Sequence, residues 1–445
     1  VLYAIARDGI AKKELEEEGV SLAPLMDTIV EHVPAPAQPV DETFKMLVSS
    51  IDWNDYVGRI AVGRIEQGTV KLNQEIALVS GKGDQKMKGR ATKLFSFNGL
   101  QREPIEEGFA GDIVALAGYD SVNIGDTLTA ASDPTPLEYV DLDKPTIAMY
   151  FRVNNSPFAG LEGKFVTSNQ IKDRLEREVR TNVAMRVEAT DSPDVFKVSG
   201  RGELQMAILI ETMRREGFEF SVSRPEVLFQ EIDDVIHEPV EEVVVDVLTD
   251  YSNKVIDNLQ KRKGIMQGMS QEGENNRIEF RVPSRGLIGF RGEMLTETRG
   301  TGIMHQQFDG YEPYAGEIPG RTRGALIALE KGDVTGYALE GVQDRGTFFV
   351  EPGDSVYMGM VVGTNNRSDD MVVNVAKKKA LTNHRASITA DSIKISQAKK
   401  MSLEECIEFI ANDELLEVTP ESLRIRKKFL DHNERKREEK KKAGV

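Results

Sequence analysis

The spacing of hydrophobic residues changes along the chain, and the first change separates residues 1–38 from the rest. An apolar run at the start predicts a strand, and Leu25 and Ile29 then recur at a helical interval. Three prolines between residues 34 and 39 end this helix and favour an extended connector. We therefore expect residues 1–38 to be the last part of an α/β unit with its linker, the rest of that unit preceding Val1.

Residues 39–140 consist of short apolar runs separated by glycine turns, without helical periodicity. The strand candidates are 44–51, 58–67, 74–79, 90–97 and 112–117. Large and small residues alternate along 58–67, as is typical of a tightly curved strand. This spacing of strands and turns predicts a small β-barrel.

Two consecutive segments, 141–230 and 231–315, each predict the order strand, helix, two strands, helix, strand. In the first segment, a helix around Leu209 repeats apolar residues at helical spacing and stops at Gly217. In the second, the corresponding helix lies around 290–298 and ends at Gly300. Both segments therefore predict a split-βαβ, or ferredoxin-like, domain, a fold that hosts many unrelated functions.

Residues 316–445 predict one further unit with mixed strands and helices. Ser402 and Glu405 have the spacing of a capping box that opens a helix, and Cys406 falls on its inward face as a small core residue. The whole chain is thus predicted to be multi-domain α+β: a β-barrel, two split-βαβ domains and a β-rich C-terminal domain.

Composition places the chain among globular proteins, with 445 residues and a formal net charge of −16. No apolar run approaches the ~20 residues of a membrane helix, no signal peptide is evident, and a single cysteine excludes an internal disulfide, which favours the cytoplasm. The charge is uneven, because residues 424–442 hold ten Lys and Arg against four Asp and Glu. Such a basic end is typical of a docking tail or of a solvated, disordered terminus.

Motifs for catalysis are absent from the sequence. There is no G-x-x-x-x-G-K-[ST] phosphate loop and no Asn-Lys-x-Asp guanine motif, and 81–83 is better interpreted as a hairpin loop. The five histidines are scattered without ligand spacing, so no metal site is predicted. We expect this chain alone neither to bind GTP tightly nor to hydrolyse it.

Several local sequences resemble ribosomal translocation GTPases in the same order along the chain. Residues 3–9 resemble the last guanine-side loop of their G domains, although Ile5 stands where that family has serine. Residues 58–70 resemble their second-domain barrel, and 200–204 their third domain. Residues 282–283 resemble the fifth domain of elongation factor G.

Longer matches narrow this resemblance to the BipA/TypA family of ribosome-associated translational GTPases. They are 282–291, 298–304, 381–387, 417–420 and 423–428. The chain has no segment where elongation factor G carries its fourth domain, and the back-translocase LepA has a different final domain. The resemblance covers essentially the whole chain, so a BipA-specific C-terminal domain is expected.

The resemblance implies that the intact protein uses GTP and Mg²⁺, hydrolyses GTP on the ribosome, and acts in large-subunit assembly and stress-dependent translation. Ala4 and Ala6 would be the remnant of its guanine-side loop. It also implies a monomer that docks on ribosomal RNA, large-subunit proteins and the acceptor end of A-site transfer RNA, away from membranes. No cofactor is expected on this chain.

Two alternatives stay open. The chain could be a GTP-independent RNA-binding module for ribosome assembly that uses its barrel and a basic loop alone. It could also be a LepA-like elongation factor, which the C-terminal motifs disfavour. Ribosome binding compared in GTP and GDP tests the first alternative, since only a switch protein distinguishes the two nucleotides.

Cation-rich segments are the candidate RNA contacts. Residues 377–385 combine four cations, which suit phosphate, with Asn and His, which can reach base edges or stack on single-stranded RNA. An exposed loop without a ligand would have the same composition. A Gly-rich turn at 284–289 opens a helix whose N-terminus suits phosphate, although a tight turn explains its glycines equally. The predicted contacts are Lys377, Lys378, Lys379, Asn383, His384, Arg385, Arg424, Arg426, Lys427, Lys428, Arg285 and Arg291.

Overall fold

The computed structural model describes residues 1–33, 42–81, 84–99, 101–139, 145–318, 320–378 and 395–442. The chain divides into two compact units, unit 1 (Val1–Leu142) and unit 2 (Asp143–Val445). No helix in the described ranges is long and apolar enough to cross a membrane.

Unit 1 begins with an antiparallel hairpin and a helix. Strand β1 (Tyr3–Ile5) pairs with β2 (Ile10–Lys12), and a 3-10 turn at Ala6–Asp8 connects them. Helix α1 (Ala23–His32) has Pro24 in its first turn, where a missing N–H costs no helical hydrogen bond. The helix is confirmed near its predicted place, whereas the second strand of the hairpin was not predicted.

Ten strands follow among the described residues of unit 1. They are β3 (Lys45–Asn54), β4 (Gly58–Gln67), β5 (Thr69–Lys71), β6 (Glu75–Val79), β7 (Gln85–Arg90), β8 (Lys93–Asn98), β9 (Gln101–Pro104), β10 (Glu107–Phe109), β11 (Ile113–Ala117) and β12 (Thr127–Ala130). Eight form an antiparallel sheet in the order β7-β6-β12-β3-β4-β11-β8-β9, and β5 pairs with β10. All five predicted strands are confirmed, and the strands that were missed are mostly short.

The alternation of large and small residues along β4 has a steric basis. Ile60 and Ile65 are buried in the core of unit 1. Gly63 lies opposite Val48, and a Cβ atom on it would come within 2.0 Å of the Leu47 carbonyl oxygen. Glycine therefore lets β3 and β4 approach closely where the register between them shifts.

Unit 2 opens with the first predicted split-βαβ domain. Its elements are β13 (Ile147–Arg152), α2 (Ser168–Thr181), β14 (Arg186–Ala189), β15 (Val195–Gly200), α3 (Glu203–Arg215), β16 (Phe220–Val222) and β17 (Glu226–Val227). The strand order β14-β15-β13-β16 is that of the split-βαβ plan, which confirms the prediction. Thr167 and Gln170 form a capping box at the start of α2, whose Ile171 and Leu175 enter the core.

The second split-βαβ domain follows directly. Its elements are β18 (Gln230–Ile232), β19 (Val235–Leu248), α4 (Thr249–Lys261), β20 (Ile265–Glu272), β21 (Asn275–Pro283), α5 (Ser284–Leu287), α6 (Phe290–Glu297) and β22 (Ile303–Pro313). The order β20-β21-β19-β22 repeats the plan of the first. Val243 and Val245 of β19 pack with Val255 and Leu259 of α4 in its core.

The remaining elements of unit 2 come from the predicted C-terminal domain. They are β23 (Ala325–Ala328), β24 (Gly332–Asp333), α7 (Gly336–Glu340), β25 (Gly346–Phe348), β26 (Ser355–Val356), β27 (Val361–Asn365), β28 (Met371–Val373), α8 (Leu403–Phe409), β29 (Glu414–Val418), β30 (Leu423–Lys427) and α9 (His432–Lys442). The predicted capping box is confirmed, because Ser402 Oγ accepts from Glu405 N and the Glu405 carboxylate accepts from Ser402 N. Cys406 is buried as predicted, and burial raises the pKa of its thiol to about 12.

The last hairpin does not stay with the rest of this C-terminal region. β29 pairs with β16, so β29 and β30 extend the first split-βαβ sheet, while β25-β27-β23-β28 form a separate sheet. Phe220, Leu416 and Ile407 consequently share one hydrophobic core. Residues 316–445 are therefore divided between a sheet of their own and a hairpin that completes another domain.

Candidate nucleic-acid interface

The predicted guanine-side residues lie on the N-terminal hairpin. Ala4 pairs with Ala11 across the two strands, and Ala6 starts the turn, where its carbonyl accepts from Gly9 N at 3.2 Å. The side chains of both residues are exposed. Contact of this hairpin with a guanine base stays a prediction.

Lys377 and Lys378 lie on the surface just after β28. Thr335, at the start of α7, fixes this segment: its N–H donates to Val375 O at 3.0 Å and its hydroxyl donates to Lys377 O at 2.7 Å. Val375 itself is buried, whereas both lysine side chains are exposed. The backbone is thus held in place while the two charges face solvent.

The predicted contacts Lys379, Asn383, His384 and Arg385 lie outside the described residues. The described chain resumes at Ile395, which packs against the core and would lie 3.2 Å from a Cβ on Gly336. Ser396 N then bonds Gln343 Oε1 at 3.3 Å. Both flanks of the segment 379–394 are therefore fixed at or beside α7.

The prediction that Arg424 and Arg426 contact RNA is wrong for the chain in this conformation, because both are enclosed in unit 2. Arg426 is 2% exposed, hydrogen-bonds Asn155 and lies 3.5 Å from Glu417. Arg424 bonds Glu162, lies 3.6 Å from Glu417 and covers an aromatic ring. Their guanidinium groups hold the C-terminal hairpin against the first split-βαβ domain.

Lys427 is corrected for the same reason. It is 1% exposed, and its ammonium contacts Asp370 at 2.5 Å, Asp413 at 2.7 Å and Glu414 at 3.0 Å. Burial alone would lower the pKa of Lys427, but the three carboxylates outweigh burial and raise it. The charge of Lys427 is therefore neutralised inside the fold.

The partners of these cations were missed in the sequence, although a signal for them exists. In the β29–β30 hairpin, Glu417 stands directly opposite Arg424 and Glu414 directly opposite Lys427. Opposite charges across a strand pair stabilise each other, and both glutamates are fully buried. Burial, against the Tyr357 hydroxyl and the arginines, raises the pKa of Glu417.

Lys428 and the basic end after it differ in exposure from the buried cations of β30. Lys428 is exposed, and its N–H donates to Asp413 O at 2.9 Å. The run after it forms helix α9 and is not a disordered terminus. Arg435 is 8% exposed and donates to the carbonyls of Phe429 and Leu430, which ties the start of the helix to the hairpin.

Arg285 was predicted to contact RNA, and this is corrected because its guanidinium is bonded to other residues of the chain. Its guanidinium forms two hydrogen bonds with Glu238, a residue that is 1% exposed, and it stacks 4.5 Å from the ring centre of Tyr314. A third hydrogen bond goes to Gly316 O. Arg285 therefore joins β19 to the segment after β22.

The helix N-terminus predicted to face phosphate is covered by carboxylates of the chain itself. Gly289, with φ of 75°, precedes α6 and its N–H donates to Glu203 Oε2 at 3.3 Å. Glu408 lies so close that a Cβ on Gly292 would meet its carboxylate at 2.7 Å. Arg291, one residue into the helix, is exposed and stays a candidate.

Across the described ranges, no group of three or more His, Cys, Asp or Glu side chains could hold a metal ion. The arrangement that remains offers exposed cations on a fixed backbone at 377–378, with Lys428, Arg291 and the outer face of α9. Such groups suit contacts to phosphate.

Comparison with known families agrees with this architecture. Residues 58–129 match "Elongation factor Tu domain 2", residues 235–322 match "Elongation factor G C-terminus", and residues 323–432 match "TypA/BipA C-terminal domain". These matches confirm the translation-factor barrel, the elongation factor G-like domain and the BipA-specific C-terminal region.

Relatives match over nearly the whole chain. "Large ribosomal subunit assembly factor BipA" of Bacillus subtilis (strain 168) is 47% identical over 449 residues, which cover 100% of this chain and 73% of that protein. The proteins of the same name from Synechocystis and from Escherichia coli (strain K12) are 47% and 45% identical, covering 96% and 98% of this chain and 71% and 72% of theirs. A solved structure from Thermus thermophilus has a TM-score of only 0.41 at 15% identity, over 66% of this chain and 59% of that one, too low to bear on the fold. This chain belongs to the BipA (TypA) family.

Proposed function

We propose that this chain docks on the ribosome as part of a BipA-type translational GTPase, a cytoplasmic monomer that serves large-subunit assembly and translation under stress. Its relatives are named large ribosomal subunit assembly factors. The observation that supports docking best is the pair of exposed lysines, Lys377 and Lys378, on a backbone fixed by Thr335. They begin the basic segment 377–385, for which we propose contact with ribosomal RNA and the acceptor end of A-site transfer RNA.

Co-sedimentation with ribosomes over a range of salt concentrations tests this contact. The double variant Lys378→Ala/Arg385→Ala should bind more weakly, and the slope of log affinity against log salt should fall by about 1.5 as two phosphate contacts disappear. Lys172→Ala/Arg177→Ala removes two exposed cations from α2 and is the matched control. An unchanged slope in the first variant would exclude the proposed contact.

In this proposal GTP and Mg²⁺ act as the switch of the intact family protein, and this chain supplies docking. Phosphoryl transfer needs a phosphate loop with its Lys and a Ser or Thr for Mg²⁺, and the 445 residues contain no such motif. Release of phosphate from GTP by the purified chain, measured with ribosomes present, should stay at the background rate. Turnover above background would contradict this division of roles.

The nucleotide-gated role is also open to a direct test. The intact family protein should sediment with ribosomes more strongly in GTP than in GDP, because the two states must differ in affinity for a switch to operate. Equal binding in both nucleotides would favour the GTP-independent RNA-binding module instead.

A further inference from the structure

Unit 2 contains a polar pocket of about 380 Å³ in which four cationic side chains meet. Arg224 comes from the segment between β16 and β17, Arg321 and Arg323 from the segment before β23, and Lys427 from the end of β30. The volume lies within the range of small-molecule sites. Since the cations come from three separate parts of the chain, only the folded unit 2 assembles them.

Two of these cations are already neutralised by carboxylates of the chain. Arg321 donates two hydrogen bonds of 3.0 Å to Glu414. Lys427 contacts Asp370 at 2.5 Å and Asp413 at 2.7 Å. The two aspartates that line the pocket, Asp370 and Asp413, are therefore ion-paired with Lys427. They form no ion pair with the other two cations, Arg224 and Arg323.

Arg224 and Arg323 differ from that pair. Within the part of the chain that the structure describes, neither guanidinium has a hydrogen bond or an ion pair with a carboxylate. Burial and the nearby Arg321 lower the pKa of Arg224, and Glu226 offsets this only in part. Arg224 is partly buried, so its unused donors are costly and a bound anion would relieve that cost. Arg323 is exposed and offers a second guanidinium to the same anion.

One more carboxyl lines the pocket. Glu408 is partly buried beside Glu203, and burial together with that neighbouring charge raises the pKa of Glu408 to about 7. A substantial fraction of Glu408 is therefore neutral near pH 7. The neutral form does not repel an anion, so this residue leaves the pocket able to accept one.

We propose that this pocket binds a phosphate group between Arg224 and Arg323. The planar fork of a guanidinium matches two phosphate oxygens, and such charge-assisted hydrogen bonds are strong. A phosphodiester of RNA and a free phosphomonoester present the same oxygens. The lining of the site includes no residue of segment 377–385, and the site does not depend on the docking role of that segment.

Thermal unfolding of the full chain in sodium phosphate, against sodium chloride of equal ionic strength, tests the site. Phosphate should raise Tm with a saturating dependence on concentration. Arg224→Gln should weaken the apparent phosphate affinity about tenfold, and Arg323→Gln several-fold. Arg177→Gln, an exposed residue of α2 outside the pocket, should keep the wild-type response.

Circular dichroism in chloride establishes that each variant folds, and Arg323→Gln carries the test if Arg224→Gln does not fold. Equal Tm in phosphate and chloride for the wild type would overturn the proposal. So would an unchanged phosphate response in both pocket variants.

The phosphorus-31 line width of inorganic phosphate identifies the source of the group. Displacement of phosphate by a short single-stranded RNA would assign the site to the RNA backbone. Displacement by a nucleoside monophosphate, but not by RNA without a terminal phosphate, would assign it to a free phosphomonoester. Either result requires that the phosphorus-31 line of phosphate broadens in the presence of the wild type and not in the presence of Arg224→Gln. Equal line broadening by both proteins would overturn the proposed site.

Discussion

Two segments of unit 2 are similarly rich in cations, but one is buried and the other is exposed to solvent. Along β30, Arg426 is 2% and Lys427 1% exposed, and their charges meet buried glutamates. After β28, Lys377 and Lys378 are exposed on a backbone that Thr335 fixes. A run of cations in the sequence thus does not show whether carboxylates of the chain neutralise the charges or whether they stay exposed, and the neighbouring strand decides between these.

The difference has a physical cause in the opposing strand. β30 pairs with β29, whose Glu414 and Glu417 face it and are fully buried. A buried cation is tolerated only when paired, and Arg424, Arg426 and Lys427 each lie within 3.6 Å of one of these glutamates. Lys377 and Lys378 follow a strand in a turn-like segment, where solvent hydrates the charge.

The largest expected effect is on Lys427. Lys427→Met removes the ammonium from Asp370, Asp413 and Glu414. Arg321 still pairs with the buried Glu414, and both aspartates are partly exposed, so the loss in the free energy of unfolding should be about 3 kcal/mol, the lower end of the range for a broken buried ion pair. Urea unfolding followed by circular dichroism measures this loss.

The matched control is Lys378→Met, which should change stability by less than about 0.5 kcal/mol because its side chain is exposed. A loss for Lys427→Met no greater than that of Lys378→Met would remove the contrast between the two segments.

A smaller effect is expected at Tyr357. Its hydroxyl donates to Glu417 Oε1 at 2.5 Å, and its ring packs edge-on against Phe158 with centroids 5.0 Å apart. Tyr357→Phe keeps the ring and removes one donor to a buried carboxylate, so stability should fall by about 1–3 kcal/mol. Urea unfolding again gives the measurement. Tyr337→Phe, at an exposed ring, is the control, and an equal small change in both would show that Glu417 needs no such donor.

Local signals in the sequence predicted much of the fold. The capping box at Ser402 and Glu405 and the limits of β4 depend on neighbouring residues and could be read directly. The pairing of β16 with β29 could not, because periodicity reports which face of a strand is buried and not which strand lies beside it. For the same reason residues 414–427 were predicted as part of the further unit 316–445 and not as strands of the first split-βαβ sheet.

The candidate interface was predicted in part. The exposure of Lys377 and Lys378 agrees with the sequence interpretation, whereas Arg424 and Arg426 do not. Aligning 414–418 with 423–427 as a hairpin would have placed Glu417 opposite Arg424 and warned against an RNA contact. The pocket at Arg224 had no local signal, since its cations come from distant parts of the sequence.

A modest effect, dependent on pH, is expected at Glu408. Burial, with Glu203 and Glu405 nearby, raises the pKa of Glu408 to about 7 in the folded chain, above its ordinary value near 4.5, although Arg262 and Lys399 act against this. The folded state therefore holds the proton more tightly, so the contribution of this group to stability is fully present below pH 4.5 and is lost as pH rises through about 7.

Glu408→Gln should consequently be more stable than the wild type at pH 8, by about 1 kcal/mol or less because the carboxyl is partly solvated, and equal to it at about pH 4. Urea midpoints at the two pH values measure this difference. Glu404→Gln, an exposed position on the same helix, should show no such trend. A gain from Glu408→Gln that is the same at both pH values would rule out titration as the cause.

The smallest effect on stability is expected where the effect on binding should be large. Lys377→Ala/Lys378→Ala leaves the hydrogen bond from Thr335 to the Lys377 carbonyl intact, because the backbone makes it. The free energy of unfolding should change by less than about 0.5 kcal/mol, while ribosome affinity at low salt falls and its salt dependence weakens.

Thr335→Val is the complementary variant, because it keeps both cations and removes the hydroxyl that positions them. If the cations act only when positioned, Thr335→Val should also weaken ribosome binding without altering the salt slope. Binding equal to the wild type would mean that charge at 377–378 suffices and that the anchor on α7 serves the fold alone.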